Sequence, residues 1–442
     1  MNETHFGRHR AKINAFQTPS AETIAYAQSI AGQELGPGEL AISEWQARGL
    51  ELPNLNIIRH YRLERVRAQL RRFDYAGILL YDPLNVRYAT DSTNMQLWCA
   101  HNAVRYCFIA TDGPVILFDF HGSGHLSAHL PLIDEIRSGT GWLYAGTGPR
   151  YSEIAAKWAA EIADLVHSHG GGNRRLAIDR CNEEGIHALH AQGVQTFNGE
   201  EVMELARLIK HDEEIKAMRC AIAACESAIG VMRTHLEPGV TEQRLWSYLH
   251  AENIARGGEW IETRLLASGP RTNPWMQECS SRPIAAGDLV AFDTDLIGPY
   301  GYCCDISRTW LCGDKPTDEQ RTLYGMAVEQ INHNRAILRA GMSFQELVDE
   351  ALSLPAAFIG NRYSVLYHGV GLCDEYPSIY YPEEWAHGGH EGVLQENMVL
   401  CVESYIGCVG GCEGVKLEEQ VLITRDGPMT LSSYPFEENL RQ

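Results

Sequence analysis

The chain has 442 residues, of which 45% are hydrophobic and 21% are charged, and its formal net charge is −20. This composition excludes a disordered chain, and the length predicts two or more domains. Because an acidic surface repels phosphate backbones, we expect no nucleic-acid partner and instead a preference for cationic ligands or metal ions.

The cysteines and the apolar segments predict where in the cell the protein is found. The chain has 13 cysteines, and its first residues, MNETHFGRHRAKINAF, lack the apolar segment of a secretory signal. We therefore expect reduced thiols and a cytoplasmic protein. No apolar run reaches the roughly 18 residues that a membrane-spanning helix needs, which predicts that the protein has no membrane partner.

Residues 1–205 are predicted to form an N-terminal extension followed by a small α/β domain. Residues 1–55 are polar and predicted to be irregular. Helical spacing then alternates with short apolar runs bounded by glycine, proline or aspartate, which are typical of buried strands. The predicted helices cover residues 59–72 and 152–169, and the predicted strands cover residues 76–82, 114–120 and 174–180.

Residues 206–442 are predicted to form a second domain of the α+β class. Helical spacing over residues 208–236 ends at a Pro-Gly turn, and a second amphipathic helix covers residues 241–257. Short apolar runs dominate after Ile261, and two further helices are predicted at about residues 316–339 and 343–358.

Polar residues that can bind a metal are embedded in four strand-like segments of this second domain. The segments are FDTDLIGPYGYCCDISRTW, YHGVGLCDEYP, NMVLCVESYIG and GVKLEEQVLIT. Each carboxylate could singly close a turn or face solvent. Together they predict a metal site, because buried carboxylates are paired or bound to metal. Several carboxylates with one imidazole suit Mn²⁺, Fe²⁺, Co²⁺ or Zn²⁺.

These segments, in this order, resemble the pita-bread metallopeptidase family, which includes methionine aminopeptidase, prolidase and creatinase. The resemblance runs from about Arg207 to Pro428, and the preceding half is similar, more loosely, to the smaller domain of prolidase and creatinase. It implies a pita-bread catalytic domain preceded by a creatinase-like α/β domain. The metal ligands that it implies are Asp293, Asp305, His368, Glu403 and Glu418.

Three positions depart from the peptidase pattern. Trp275 and Asp374 stand where those peptidases carry histidines, and Asp295 stands where the family has glycine. An indole cannot carry a proton at neutral pH, which argues against peptide hydrolysis. Asp295 adds a further candidate metal ligand. Neighbouring carboxylates and desolvation raise the pKa of an aspartate, so Asp374 is a candidate general base.

A metal ion, a base and aromatic side chains suit a small zwitterionic substrate. The metal would bind a substrate carboxylate and acidify the adjacent C–H bond, and an aromatic face would hold a cation. The predicted aromatic contacts are Trp275, Tyr363 and Tyr367. The whole chain resembles the pita-bread type of dimethylsulfoniopropionate lyase. That resemblance implies iron, with Mn, Zn and Co as alternatives, a homodimer, and Asp374 as the base of a β-elimination.

Other functions remain open at this stage. A creatinase-like C–N hydrolase also acts on a small zwitterion, and it would release a nitrogenous product from creatine. A residual Xaa-Pro dipeptidase would cleave a dipeptide. A non-enzymatic binding module, of the kind that arises when metal ligands are lost, is a third alternative; the intact ligand set argues against it, and metal analysis would separate it from the enzymes.

Overall fold

The computed structural model describes residues 12–13, 36–313 and 315–441, which fall into two compact units. Residues 12–13 and 54–207 belong to the first unit, and residues 36–53 and 208–441 belong to the second. The predicted domain boundary after residue 205 lies just before this division. Residues 36–53, which we assigned to the first domain, fall in the second unit.

The first unit is built on a mixed seven-stranded sheet. In order across the sheet, the strands are β1 Lys12–Ile13, β5 Glu135–Ser138, β4 Val115–Asp119, β3 Tyr106–Ala110, β2 Gly77–Leu80, β6 Arg175–Ile178 and β7 Gln195–Asn198. The pairs β2–β3 and β3–β4 are antiparallel, and the remaining pairs are parallel. The helices are Leu55–Arg72, Pro83–Thr90, Gln96–His101, Tyr144–Thr147, Tyr151–His169, Glu183–Ala191 and Gly199–Arg207.

Local sequence explains two of these helices. The helix Leu55–Arg72 begins earlier than predicted because the Asn54 side chain accepts hydrogen bonds from the backbone N–H groups of Asn56 and Ile57. The helix Tyr151–His169 carries apolar side chains at helical spacing, and its buried Trp158 packs in the same core as the strands of the sheet.

The second unit contains three antiparallel sheets. In order across each sheet, the strands of the two smaller ones are β13 Arg308–Leu311, β10 Leu289–Phe292 and β9 Leu266–Ser268, and then β12 Cys303–Cys304, β11 Leu296–Ile297 and β8 Trp260–Ile261. The largest sheet consists of β15 Asp374–Tyr380, β14 Val365–Val370, β16 Val399–Ile406, β17 Val415–Thr424 and β18 Gly427–Thr430. The Thr309 hydroxyl bonds both backbone groups of Lys416, which ties β13 to β17.

Two sequence predictions for this unit were wrong. The segment predicted as irregular contains the helix Glu39–Ala47, whose buried Trp45 stacks on Tyr300. The helix predicted over residues 343–358 is broken, because Ala351 is extended and Pro355 disfavours helical backbone in the residue before it. The helices of the unit are Glu39–Ala47, Asp212–Thr234, Glu242–Ala255, Asp318–Ala336, Phe344–Glu350, Ala356–Ile359, Trp385–Gly388 and Glu438–Arg441.

Across the described residues, no helix combines the length and hydropathy that crossing a bilayer requires.

Candidate metal and active site

The largest sheet of the second unit places an imidazole, a thiol and two carboxylates on one face. Glu403 on β16 lies directly opposite Glu418 on β17, and His368 on β14 lies opposite Cys401 on β16. Because alternate residues of a strand share a face, Cys401 and Glu403 point the same way. Two carboxylates directly opposite each other are destabilising without a cation.

Three aspartates from the loops of the smaller sheets join this face. Asp293 follows β10, Asp295 precedes β11 and Asp305 follows β12. Asp305 is common to two groups whose candidate ligand atoms lie within 4.8 Å of one another. The first group is Asp305, His368, Cys401 and Glu418, and the second is Asp293, Asp295 and Asp305. These two groups contain five of the six predicted metal ligands, and the sixth, Glu403, lies 3.4 Å from His368.

The carboxylate oxygens around His368 form a donor set that a metal ion could occupy. Nε2 of His368 lies 3.4 Å from Oε1 of Glu403, 3.4 Å from Oε1 of Glu418 and 3.7 Å from Oδ2 of Asp305. Both Oε1 atoms are buried, and no described residue hydrogen-bonds to them. Such atoms are costly unless a cation satisfies them. An imidazole nitrogen with several carboxylate oxygens is a donor set that fits a divalent transition metal.

The proton affinities of the cluster show the same need for a cation. Burial, and then the charges of Asp293 and Asp374, raise the pKa of Asp295 to about 8. Burial, and then the charge of Glu418, raise the pKa of Glu403 to about 7. Burial also raises the pKa of Asp305 well above its usual range. Each carboxyl group is thus hard to ionise beside its neighbours.

Lys416 is a cation within this cluster that the sequence analysis did not single out. Its side chain is fully buried, and Nζ lies 2.7 Å from Glu403 Oε2, 2.9 Å from Asp293 Oδ2 and 3.4 Å from Glu418 Oε2. Burial works to raise the pKa of Glu418, but Lys416 and then His368 outweigh it and lower that pKa. Strand alternation could have revealed Lys416, because it stands two residues before Glu418 on β17.

Cys401 is a second site residue that the sequence analysis missed. Its sulfur belongs to the group of atoms around His368. Burial works to lower the pKa of His368, but Cys401 and Asp374 outweigh it and raise that pKa well above its usual range. The same alternation predicts this placement, since Cys401 stands two residues before Glu403.

Asp295 adopts an unusual backbone conformation. Its φ of 35° lies in the left-handed region that favours glycine, the residue expected at this position in the family. Its Oδ2 accepts a hydrogen bond of 2.8 Å from the Thr263 hydroxyl. A strained residue of this kind usually persists where it serves function, and here it presents a carboxylate to the cluster.

Asp374 lies at the exposed edge of the cluster, at the start of β15. One carboxylate oxygen is 3.5 Å from Nδ1 of His368, and the side chain is 58% exposed. Desolvation by the surrounding protein raises the pKa of Asp374, while the nearby His368 opposes the rise. Because water reaches more than half of the side chain, solvent screening limits this shift.

One of the three predicted aromatic contacts, Tyr363, touches the cluster, and Trp275 packs in the apolar group behind it. The Tyr363 ring centroid is 4.6 Å from Nζ of Lys416, and the ring packs against a small apolar group that contains Trp275. Trp275 is 7% exposed and stacks on Tyr405 with ring centroids 6.1 Å apart. Its Nε1 is buried, and within the described part of the chain nothing accepts a hydrogen bond from it.

Tyr367 is not brought to the site. It is the neighbour of His368 on β14, so its side chain points to the opposite face of the sheet. There it is fully buried, and its hydroxyl donates a hydrogen bond of 3.0 Å to the carbonyl oxygen of Asn334. The structure therefore gives Tyr367 a packing position.

The fold and the candidate metal site define a class of protein. Residues 216–425 match metallopeptidase family M24. The Xaa-Pro dipeptidase from Bacillus anthracis superposes with a TM-score of 0.68 at 22% identity, covering 85% of this chain and 98% of that chain. At this identity the likeness concerns the fold alone, which is the pita-bread fold.

Two curated relatives are similar over nearly the whole chain. Dimethylsulfoniopropionate lyase DddP of Roseovarius nubinhibens is 46% identical over 413 residues, which cover 91% of this chain and 92% of that protein. DddP of Roseobacter denitrificans is 45% identical over 410 residues, with the same coverage. The chain therefore belongs to the DddP group of the pita-bread family M24.

Proposed function

We propose that the protein is a metal-dependent lyase that cleaves dimethylsulfoniopropionate to acrylate and dimethyl sulfide. The observation that carries the proposal is that an aspartate, Asp374, stands beside the carboxylate–imidazole cluster where the peptidases have a histidine. Two relatives that are 45% and 46% identical are described as lyases of this substrate.

The cluster supplies the residues that would hold the metal. We propose iron as the ion, with Mn, Zn and Co as alternatives, because these metals accept mixed carboxylate and imidazole ligands. When bound, the ion supplies a positive charge that polarises a substrate carboxylate. The proposed ligands are Asp293, Asp295, Asp305, His368, Glu403 and Glu418.

Asp374 is the proposed base that removes a proton in an elimination. Its carboxylate takes the proton from the carbon next to the substrate carboxylate, and that electron pair forms the C=C bond of acrylate. The C–S bond breaks, and dimethyl sulfide leaves as a neutral molecule with the bonding pair. The 58% exposure of the Asp374 side chain lets the proton pass to water. General base catalysis of this kind contributes about 10²- to 10⁴-fold in rate.

The aromatic residues are proposed to hold the sulfonium group. A cation over a desolvated aromatic ring is stabilised by about 2 kcal/mol. The Tyr363 ring already contacts the Lys416 ammonium, whereas among the described residues no cation lies over the ring of Trp275, which stacks on Tyr405. Trp275 is therefore the stronger candidate for the sulfonium contact.

We also propose that the protein is a cytoplasmic homodimer without a nucleic-acid or membrane partner. All 13 cysteines lie in the described part of the chain and are free thiols, which suits a reducing compartment. The net charge of −20 disfavours phosphate backbones. The exposed apolar side chains Met95, Leu97 and Trp98 in the first unit are surface that a second copy could cover.

Product analysis tests the proposed activity. Purified protein loaded with Fe²⁺ would be incubated separately with dimethylsulfoniopropionate, creatine and an Xaa-Pro dipeptide. The proposal predicts headspace dimethyl sulfide and equimolar acrylate from the first substrate alone. Products from creatine or the dipeptide, with no dimethyl sulfide, would instead support a hydrolase.

A further inference from the structure

Lys416 makes contacts that are unusual for a lysine on a β-strand. Its side chain is fully buried, and its ammonium contacts three carboxylates at 2.7–3.4 Å. It also donates a hydrogen bond of 2.6 Å to Oγ of Ser307, which lies 2.6 Å from Asp293 Oδ1. A buried lysine requires this many partners because its ammonium has lost its hydration.

Lys416 and His368 contact different carboxylate oxygens of the same two glutamates. Lys416 contacts the Oε2 atoms of Glu403 and Glu418, whereas Nε2 of His368 faces the Oε1 atom of each. Both Oε1 atoms are buried and have no hydrogen-bond donor among the described residues. The Lys416 ammonium is therefore the ion-pair partner of both Oε2 atoms, of which that of Glu403 accepts no hydrogen bond from the described residues, and the Oε1 atoms face His368.

We propose that Lys416 is a permanent internal cation that positions Glu403, Glu418 and Asp293 for metal binding and keeps the site assembled before the metal arrives. This inference rests on the proposed metal site, and it adds a positioning residue to it. Without the ammonium, the facing carboxylates of β16 and β17 would repel each other. The metal and His368 would then have to supply the positive charge that holds the site together.

The alternative is that Lys416 is only a core residue whose loss damages the fold. The two possibilities differ in how the damage depends on metal. A core role lowers the stability of metal-free and metal-loaded protein equally. If Lys416 positions the carboxylates, its loss lowers the stability of the metal-free protein more than that of the metal-loaded protein, because a bound metal compensates the missing charge.

Thermal unfolding of chelator-stripped and Fe²⁺-loaded protein distinguishes the positioning role of Lys416 from a core-packing role. Lys416→Met removes the charge at similar length, and Lys416→Arg keeps it. Lys210→Met is the matched control, since Lys210 is also buried but pairs at 2.8 Å with a single carboxylate, that of Glu375. We expect K416M to gain roughly 10 °C more from metal loading than wild type, from the usual cost of an unpaired buried charge.

The variants K416R and K210M serve as controls for the effect of K416M. K416R should match wild type in both states, and K210M should lose stability equally in both. If K416M does not fold in either state, Lys416→Gln replaces it and should show the same enlarged gain over K416R. An equal metal gain in wild type and in the uncharged variant would overturn the inference. If wild type itself binds no metal and gains no stability, the proposed function fails instead.

Discussion

The carboxylate of Asp374 lies 3.5 Å from Nδ1 of His368, across the ring from the nitrogen that faces the buried glutamates. Nδ1 also lies 3.1 Å from the carbonyl oxygen of Gly369, which can by itself fix the orientation of the ring. Carboxylates often orient metal-binding histidines in this position. The geometry therefore allows Asp374 to be the base or to orient His368, and the two roles differ in their effect on metal affinity.

Replacing Asp374 with asparagine distinguishes these roles. As the base, Asp374 should contribute about 10²- to 10⁴-fold to kcat, so D374N should lose that much activity while keeping its metal. An orienting role would instead lower metal affinity by about 10- to 100-fold. Metal content by mass spectrometry and kcat at saturating substrate decide between them, with the exposed Asp349→Asn as a control expected to match wild type.

Two adjacent carboxylates on β17 offer a matched test of the metal site. Glu418 faces the cluster, whereas Glu419 points to the other face and pairs with Arg308 at 2.8 Å. We expect E418Q to lose bound metal and activity together. E419Q should keep its metal and lose only stability, by about 1–3 kcal/mol, because the buried Arg308 loses its charge partner but keeps its hydrogen bonds to backbone carbonyls. Equal metal content in both variants would remove Glu418 from the ligand set.

Much of this site could be predicted from sequence. Most of the wrong or missing residues are explained by the alternation of side chains between the two faces of a strand. His368, Glu403 and Glu418 stood out because charged or imidazole groups interrupted apolar strands. Lys416 did not, because a lysine on a strand ordinarily faces water. Tyr367 was wrongly included for its closeness in sequence to His368, although neighbouring residues on a strand face opposite sides.

The features that depend on tertiary packing could not be predicted. The left-handed backbone of Asp295 follows from the turn between β10 and β11, and no local sequence pattern specifies it. Burial of Trp45 is equally invisible in the sequence, because its partner Tyr300 is more than 250 residues away. Even so, the fold class followed from the ordered set of motifs.

The strained backbone of Asp295 predicts a trade between stability and function. Asp295→Gly should relieve the left-handed strain, so the metal-free protein should be as stable as wild type or more stable by up to about 1 kcal/mol. The same variant should bind metal more weakly because a carboxylate is lost. Asp295→Asn tolerates the same backbone and removes only the charge. Calorimetry would measure the stability of the two metal-free variants, and titration would measure their metal affinity. Stronger metal binding by D295G than by wild type would contradict the account.

The raised proton affinities predict how the stability of metal-stripped protein depends on pH. The pKa is about 8 for Asp295 and about 7 for Glu403 in the folded protein, against about 4 for such groups in the unfolded chain. Between these values the folded state holds more protons, so its stability falls as pH rises. We expect Tm of stripped protein to decrease from pH 5 to pH 8.

Metal-loaded protein provides the control for this prediction. Metal binding requires ionised carboxylates, so the gain in Tm on metal loading should grow over the same range. A stripped protein whose Tm rises steadily from pH 5 to pH 8 would show that the cluster does not hold these protons. D295N should reduce the slope, because one of the two groups is removed.

The most direct measurement is the product and rate obtained with dimethylsulfoniopropionate deuterated at the carbon next to its carboxylate. With metal-loaded wild-type protein, proton abstraction by Asp374 predicts acrylate and dimethyl sulfide in equal amounts, released more slowly than from the undeuterated substrate when the C–H step limits the rate. Release of 3-hydroxypropionate in place of acrylate would show that water displaces the sulfur. That result, or no dimethyl sulfide at all, would contradict the elimination.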